Sequence, residues 1–157
     1  MRTLLLATFV TLAAAPAIAQ LPNPYGTSIN VGEAKKIAAM SVAEANKNSW
    51  KMAIAIVDIS GDLVYFEKID GTQAASVQIA QDKARSAARF KRPTKALQDA
   101  LAAGGAGLRL LALEGAVPVE GGLPILMDGK IIGAIGASGG TSEQDGQTAK
   151  AGADSVK

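Results

Sequence analysis

The sequence contains neither cysteine nor histidine, and each absence excludes a class of function. Without cysteine no disulfide can form, so the fold must be held together by packing alone. Without histidine the chain cannot build a Ser-His-Asp or Cys-His catalytic site, a zinc site of ordinary ligands, or an imidazole-ligated haem. Much hydrolytic and metal chemistry is therefore excluded before any motif is considered.

Aromatic residues and excess charge are also scarce. Aromatics make up 4% of the 157 residues, so the core must be built from alanine, valine, isoleucine and leucine. The 16 basic residues nearly balance the 14 acidic ones, whereas a nucleic-acid or membrane-surface binder usually carries a basic stripe. With 48% hydrophobic residues, the composition fits one globular domain that does not bind nucleic acid.

The N-terminus has the features of a secretory signal peptide. Arg2 precedes an uncharged apolar run, and Ala17-Ile18-Ala19 fits the small-x-small pattern of a cleavage site. A membrane anchor is the alternative, but the run ends at Ala19, short of the roughly 20 residues that a spanning helix needs. We expect residues 1–19 to be removed, leaving a periplasmic or secreted protein without a membrane span.

The rest of the chain predicts an irregular leader over 20–28 and one domain over 29–157, an α/β fold of the α+β type. Asn30 and Glu33 resemble a capping box at the start of the first helix, and Thr72 and Thr94 are predicted N-caps of the next two. A last helix is expected near Ser142. The predicted strands are 52–57, 63–66, 108–113, 123–127 and 130–137. The order α-β-β-α-α-β-β-β-α, with hairpins such as that at Asp128-Gly129, predicts a mainly antiparallel sheet flanked by helices.

Two short motifs suggest a binding site. Arg92-Pro93-Thr94 follows a helix end that is rich in cations, and it is either a guanidinium clamp for a carboxylate or simple compensation of the helix dipole. Gly121-Gly122 precedes a strand, where paired glycines permit positive φ and a close approach of the backbone to a ligand. An ordinary loop explains the glycine pair equally well.

A third motif is the glycine-rich stretch 131–145, in which Gly139-Gly140 leads into the last helix. Such a turn offers free N–H groups to an anion. However, Glu143 and Asp145 in the first helical turn already complement the dipole and repel a phosphate. The stretch also lacks the lysine of a P-loop and the βαβ context of a dinucleotide fold, so a nucleotide-phosphate site is rejected.

Together these motifs, over 92–94, 121–125 and 128–145, resemble the HbpS/GlcG family, which includes the C-terminal domain of PduO-type cobalamin adenosyltransferases. The resemblance implies a profilin-like sheet flanked by helices, homo-oligomers that are often octamers, and haem binding in several members. Some secreted members interact with iron or with a sensor kinase. In HbpS-like proteins a threonine of the x-Pro-Thr motif is implicated at the haem iron, and Thr94 occupies that position.

A haem site of this kind needs an apolar slot, which Phe90 and Leu123 offer, and cations for the propionates, which Arg92 or Lys83 offer. The candidate iron ligands are Thr94, Tyr25, Tyr65, Met40, Met52 and Met127. The predicted cofactor-binding residues are Lys83, Phe90, Arg92, Thr94, Gly121, Gly122, Gly139, Gly140, Glu143 and Asp145, with Thr94 as the metal ligand. We predict no catalytic residue for this haem-binding function, as carrier or sensor.

Two other functions stay open. In the first, the protein binds or converts a small carboxylate, with Lys83, Glu143 and Asp145 as acid/base groups and Arg92 as the clamp. In the second, it is an oligomeric sensory or interaction protein, in which alanine-rich helix faces such as Ala80, Ala84 and Ala87 can pack between subunits as easily as within one.

Overall fold

The computed structural model describes residues 22–156. The predicted signal peptide lies outside the described residues. In chain order the elements are α1 (Val31–Lys47), β1 (Ala53–Val57), β2 (Leu63–Lys68), α2 (Ser76–Phe90), α3 (Thr94–Ala102), a 3₁₀ helix (Gly105–Ala112), β3 (Gly122–Met127), β4 (Lys130–Ser138) and α4 (Ser142–Ala153).

The four strands form one antiparallel sheet in the order β2-β1-β4-β3. Two hairpins therefore lie side by side and join where β1 pairs with β4. The second hairpin turns at Asp128 and Gly129, whose φ angles of 50° and 71° are those of a tight primed turn. The predicted antiparallel sheet flanked by helices is confirmed.

The two faces of the sheet are packed differently. Ala53 and Ala55 of β1 face the alanines of α2, whereas Ile54 and Ile56 face the layer formed by α1 and α4. Gly136 of β4 lies so close to α2 that an added Cβ would collide with the carbonyl oxygen of Ala80. Because α2 sits directly on the sheet, the corner that follows it is brought to the start of β3.

The capping box at the start of α1 is confirmed, because the Asn30 side chain accepts from the Glu33 N–H at 3.0 Å. The predicted cap at Thr72 is wrong: its hydroxyl donates to the Ile69 carbonyl at 2.7 Å, and α2 begins only at Ser76. Thr72 therefore stabilises the turn before the helix.

The predicted strand 108–113 is also wrong. Residues 108–112 belong to the 3₁₀ helix and Leu113 follows its end; the helix begins at Gly105, and Gly104 and Gly105 have φ angles of 68° and 54°. A short apolar run does not distinguish a strand from a helical turn. Leu108 and Leu111 remain exposed to solvent.

Within residues 22–156, no helix has the length and apolar character that crossing a membrane requires.

Candidate functional site

The corner between α2 and α3 begins at Lys91, which ends α2 in a left-handed conformation with φ 53°. Pro93 follows with φ −56° and ψ 139°, and α3 starts immediately after it. Arg92 and Pro93 are exposed, whereas Thr94 is completely buried. The corner thus exposes the Arg92 guanidinium and the Pro93 ring to solvent and buries the Thr94 hydroxyl.

Thr94 connects this corner to the last hairpin. Its hydroxyl accepts from the Gly122 N–H at 2.9 Å and lies 3.5 Å from the Gly122 carbonyl oxygen. The predicted N-cap role of Thr94 is wrong, since Pro93 occupies the cap position and no side chain caps α3. Thr94 satisfies a buried backbone N–H of the hairpin instead.

Next to Thr94, a buried ion pair joins α2 to α4. The Lys83 Nζ lies 2.7 Å from the Asp145 Oδ2, and the two side chains are 1% and 6% exposed. Lys83 also donates to the Ala137 carbonyl, and Asp145 accepts from the Gly140 N–H at 3.0 Å. Burial raises the pKa of Asp145, against the opposing effect of the Lys83 ammonium and the Gly140 N–H. The ion pair therefore links α2 to α4, and its polar atoms are already hydrogen-bonded within the protein.

Gly121 and Gly122 cover this pair. Gly121 has φ 124°, and a Cβ there would lie 2.9 Å from the Lys83 Nζ. A Cβ on Gly122 would lie 2.7 Å from the Thr94 Cγ2 and still closer to the Lys83 carbonyl oxygen. The predicted close approach of the backbone is present: the two glycines bring the backbone into contact with Lys83 and Thr94.

Two surface clefts adjoin at Pro93 and Leu123, which line both. The first, here called the corner cleft, has a volume of about 410 Å³. It is lined by Pro22, Asn23, Lys91, Pro93, Leu123, Pro124, Leu126 and Ile131. The second, here called the glycine cleft, has a volume of about 430 Å³. It is lined by Pro93, Lys95, Glu120, Gly121, Gly122, Leu123, Glu143, Gly146, Gln147 and Lys150.

The clefts separate the predicted site residues into three groups. Gly121, Gly122 and Glu143 line the glycine cleft. Lys83, Thr94 and Asp145 lie buried behind its glycines. The remaining four, Phe90, Arg92, Gly139 and Gly140, are not among the residues that line these two clefts.

These four residues make contacts outside the two clefts. Phe90 ends α2 half-buried, and the Arg92 side chain donates to the Phe90 carbonyl at 3.0 Å. A Cβ on Gly139 would collide with the Lys51 carbonyl oxygen, whereas Gly140 donates to Asp145. Gly139 thus allows a close approach to Lys51, and Gly140 donates a hydrogen bond to the buried ion pair.

Glu143 is the exposed carboxylate of the predicted set. Hydrogen bonds from its own backbone N–H and from the Thr141 side chain lower its pKa, as expected in the first turn of a helix. Of the three predicted acid/base groups, Lys83 and Asp145 are hydrogen-bonded to each other behind the glycines, whereas Glu143 lines the glycine cleft.

Sequence reasoning missed the role of the leader. The Gly26 N–H donates to the Ile131 carbonyl and the Ile131 N–H to the Pro24 carbonyl, both at 2.8 Å, so the leader pairs with the start of β4. The Tyr25 hydroxyl donates to the Ala88 carbonyl at 2.8 Å, and the Lys91 Nζ lies 3.9 Å from the centre of the Tyr25 ring. The one available signal was an aromatic residue in a chain with few of them.

The other candidate iron ligands lie elsewhere. Met52 is buried in the core, Met40 is exposed on α1, and the Tyr65 hydroxyl donates to the Glu67 carboxylate at 2.9 Å. Residues 22–156 contain no group of three or more acidic side chains arranged to hold a metal ion.

Comparisons with known proteins identify the family and the fold. A family model described as "Haem degrading protein HbpS-like" matches residues 29–154. The protein GlcG of Escherichia coli K12 is 39% identical over 105 residues, which cover 67% of this chain and 77% of GlcG.

Two solved structures have the same fold. The structure of a double mutant of Streptomyces reticuli HbpS is 27% identical, with a TM-score of 0.77, covering 96% of this chain and 99% of that one. A structure described as a PduOC–haem complex is 24% identical, with a TM-score of 0.74, covering 83% of this chain and 96% of that one; at this identity the likeness concerns the fold.

Proposed function

The chain belongs to the HbpS-like family, and on that premise we propose that it is an exported haem-binding module whose ligand occupies the corner cleft. The observation that carries the proposal is the meeting of the proline corner with the last hairpin. Pro93 and Leu123 come from segments about thirty positions apart in the chain, and together they line one apolar hollow.

The walls of the corner cleft fit the macrocycle of a haem. Leu123, Leu126 and Ile131 supply an apolar surface, and Leu126 is 41% exposed although it is a large apolar side chain. The volume of about 410 Å³ lies within the range of small-molecule sites. Lys91 places a cation at this apolar surface, where a propionate would bind.

The donor atoms fit the iron less well. The Tyr25 hydroxyl donates to a backbone carbonyl, and the Thr94 hydroxyl is buried and shared with Gly122. Haem, when bound, supplies the redox and ligand-binding chemistry of its iron. The residues of this chain supply the slot and the cation, which suits a carrier or sensor that exchanges its ligand.

A titration of the mature chain with haemin tests the proposal. We expect a saturable Soret shift, and we expect Leu126→Asp to weaken binding at least about tenfold by placing a carboxylate in the apolar wall. Leu63→Asp is the matched control, since Leu63 is 46% exposed on β2 at the opposite edge of the sheet. Equal affinities for the two variants, or a spectrum identical to haemin with an inert protein, would refute the site.

Export and assembly are parts of the same proposal. Export predicts that the mature N-terminus is Gln20, which N-terminal sequencing of the protein from a bacterial periplasm or medium will show. Assembly into a homo-oligomer is supported by the 3₁₀ helix, where Leu108 is 54% and Leu111 is 71% exposed. Light scattering should detect the oligomer, and Leu111→Asp should dissociate it. A monomeric wild-type protein would refute the assembly.

A further inference from the structure

We infer that the corner cleft recognises a carboxylated tetrapyrrole by its flat face and its acid groups, and that the iron contributes little to affinity. The inference rests on the proposed function and extends its ligand class beyond haem. The ligand class becomes any planar tetrapyrrole with propionate-like side chains, whether or not it carries a metal.

The first observation is the set of side chains at the cleft. Haem iron in proteins is held by His, Cys, Met or Tyr. The whole chain has no His or Cys, and of the residues that line the corner cleft only Asn23 and Lys91 have polar side chains. Met127 lines two other pockets with Ile132, away from this cleft. The lining therefore provides contact area and one positive charge, but no strong iron ligand.

The second observation is that the charge is held in place. Lys91 has a left-handed backbone at the end of α2, and its Nζ lies over the Tyr25 ring at 3.9 Å, a cation–π contact. The Tyr25 hydroxyl is fixed by the Ala88 carbonyl, and its backbone neighbours are fixed by Ile131. A flexible lysine that is already ordered loses less entropy when it binds a carboxylate.

The same contacts make the leader part of the site. Tyr25 holds the segment in which Pro22 and Asn23 form one wall of the cleft. Tyr25 is thus a positioning residue: it places both the cation and the wall. It need not touch the ligand.

The experiment compares haemin with iron-free protoporphyrin IX on the mature chain, using quenching of the Trp50 fluorescence or porphyrin absorbance as the readout. We expect the two affinities to agree within about threefold. Lys91→Met should weaken both by the same factor, roughly tenfold, since a hydrogen bond to a charged group is lost. The dimethyl ester of protoporphyrin IX, which has no acid groups, should bind more weakly to wild type and be indifferent to Lys91→Met.

Variants of Tyr25 separate its ring from its hydroxyl. Tyr25→Phe keeps the ring beneath Lys91, and we expect it to retain more affinity for both porphyrins than Tyr25→Ala. Lys35→Met, a change of the same kind on an exposed lysine of α1, is the control and should leave both affinities unchanged. Circular dichroism shows whether each variant is folded, and the wild-type comparison does not depend on any variant.

The possible outcomes distinguish a failure of this inference from a failure of the proposed haem-binding function. Haemin that binds more than about tenfold tighter than iron-free porphyrin overturns the inference and leaves haem binding intact. No saturable binding of either porphyrin overturns both. Equal binding that is insensitive to Lys91→Met overturns the role assigned to the cation.

Discussion

The corner cleft and the buried cluster behind the glycine cleft lie within a few residues of each other, yet they are built by opposite rules. The cluster, consisting of Lys83, Thr94 and Asp145, is nearly inaccessible, and its polar groups are paired. The corner cleft is open, mostly apolar, and holds its cation at the surface. The comparison teaches that the polar residues of a family motif can serve to position the backbone, while prolines and leucines beside them form the surface that a ligand meets.

With the proposed function, this contrast assigns stability to the cluster and ligand binding to the cleft. Four substitutions test this division, and their effects decrease from the buried ion pair to the exposed carboxylate of Glu143.

Asp145→Ala should destabilise the fold by about 3–5 kcal/mol, because it leaves the Lys83 ammonium buried without a partner. Denaturant unfolding of the mature chain measures the loss. Asp99→Ala is the matched control: it breaks the exposed Lys95–Asp99 pair and should cost less than about 1 kcal/mol. Similar costs for the two variants would show that the buried pair is not a cross-link.

Thr94→Val should cost about 1–3 kcal/mol, because the Gly122 N–H is then buried without an acceptor. Thr94→Ser keeps the hydroxyl and should retain most of the stability. If Thr94 were the iron ligand, Thr94→Val would weaken haemin binding and leave iron-free porphyrin unaffected. We expect instead that any loss of affinity is shared by both porphyrins.

Lys91→Met should lower the free energy of unfolding by less than about 1 kcal/mol, the contribution of an exposed cation–π contact such as that with Tyr25, although we expect it to weaken porphyrin binding. The same denaturant titration provides the measurement. A large loss of stability in this variant would contradict the assignment of stability to the buried cluster alone.

Glu143→Gln should produce the smallest effect, seen as a pH dependence. The pKa of Glu143 is lowered from its ordinary value of 4.5, so its ionised form stabilises the fold above that pH. As the pH falls through the lowered pKa, the carboxylate is protonated and this contribution is lost. The wild type should therefore be the more stable protein near neutral pH, and the difference should vanish in acid. A difference that persists at low pH would contradict the assignment.

The elements that depend on local chemistry could be predicted from the sequence. The Asn30 capping box, the Asp128-Gly129 turn and the alanine face of α2 each depend on residues close together in the chain. Local patterns failed where an apolar run had two interpretations, as in the 3₁₀ helix, and at Thr72 and Thr94, whose hydroxyls found other partners.

The site was predictable only as a set of segments. The motifs at 92–94 and 121–125 do meet, but the partners of their side chains are distant in the chain: Thr94 pairs with Gly122, and Lys91 with Tyr25. Such contacts depend on where α2 docks on the sheet. The small residues of α2 indicate close docking, but they do not specify its position on the sheet. The role of Tyr25 therefore could not be predicted from the sequence.

The pairing of the leader with β4 has a practical consequence for work on this protein. Pro22 and Asn23 form a wall of the corner cleft, so we expect a peptide tag fused just ahead of them to weaken the proposed ligand binding. An affinity handle belongs at the other terminus, where Val156 packs near Lys36 and Ile37 of α1.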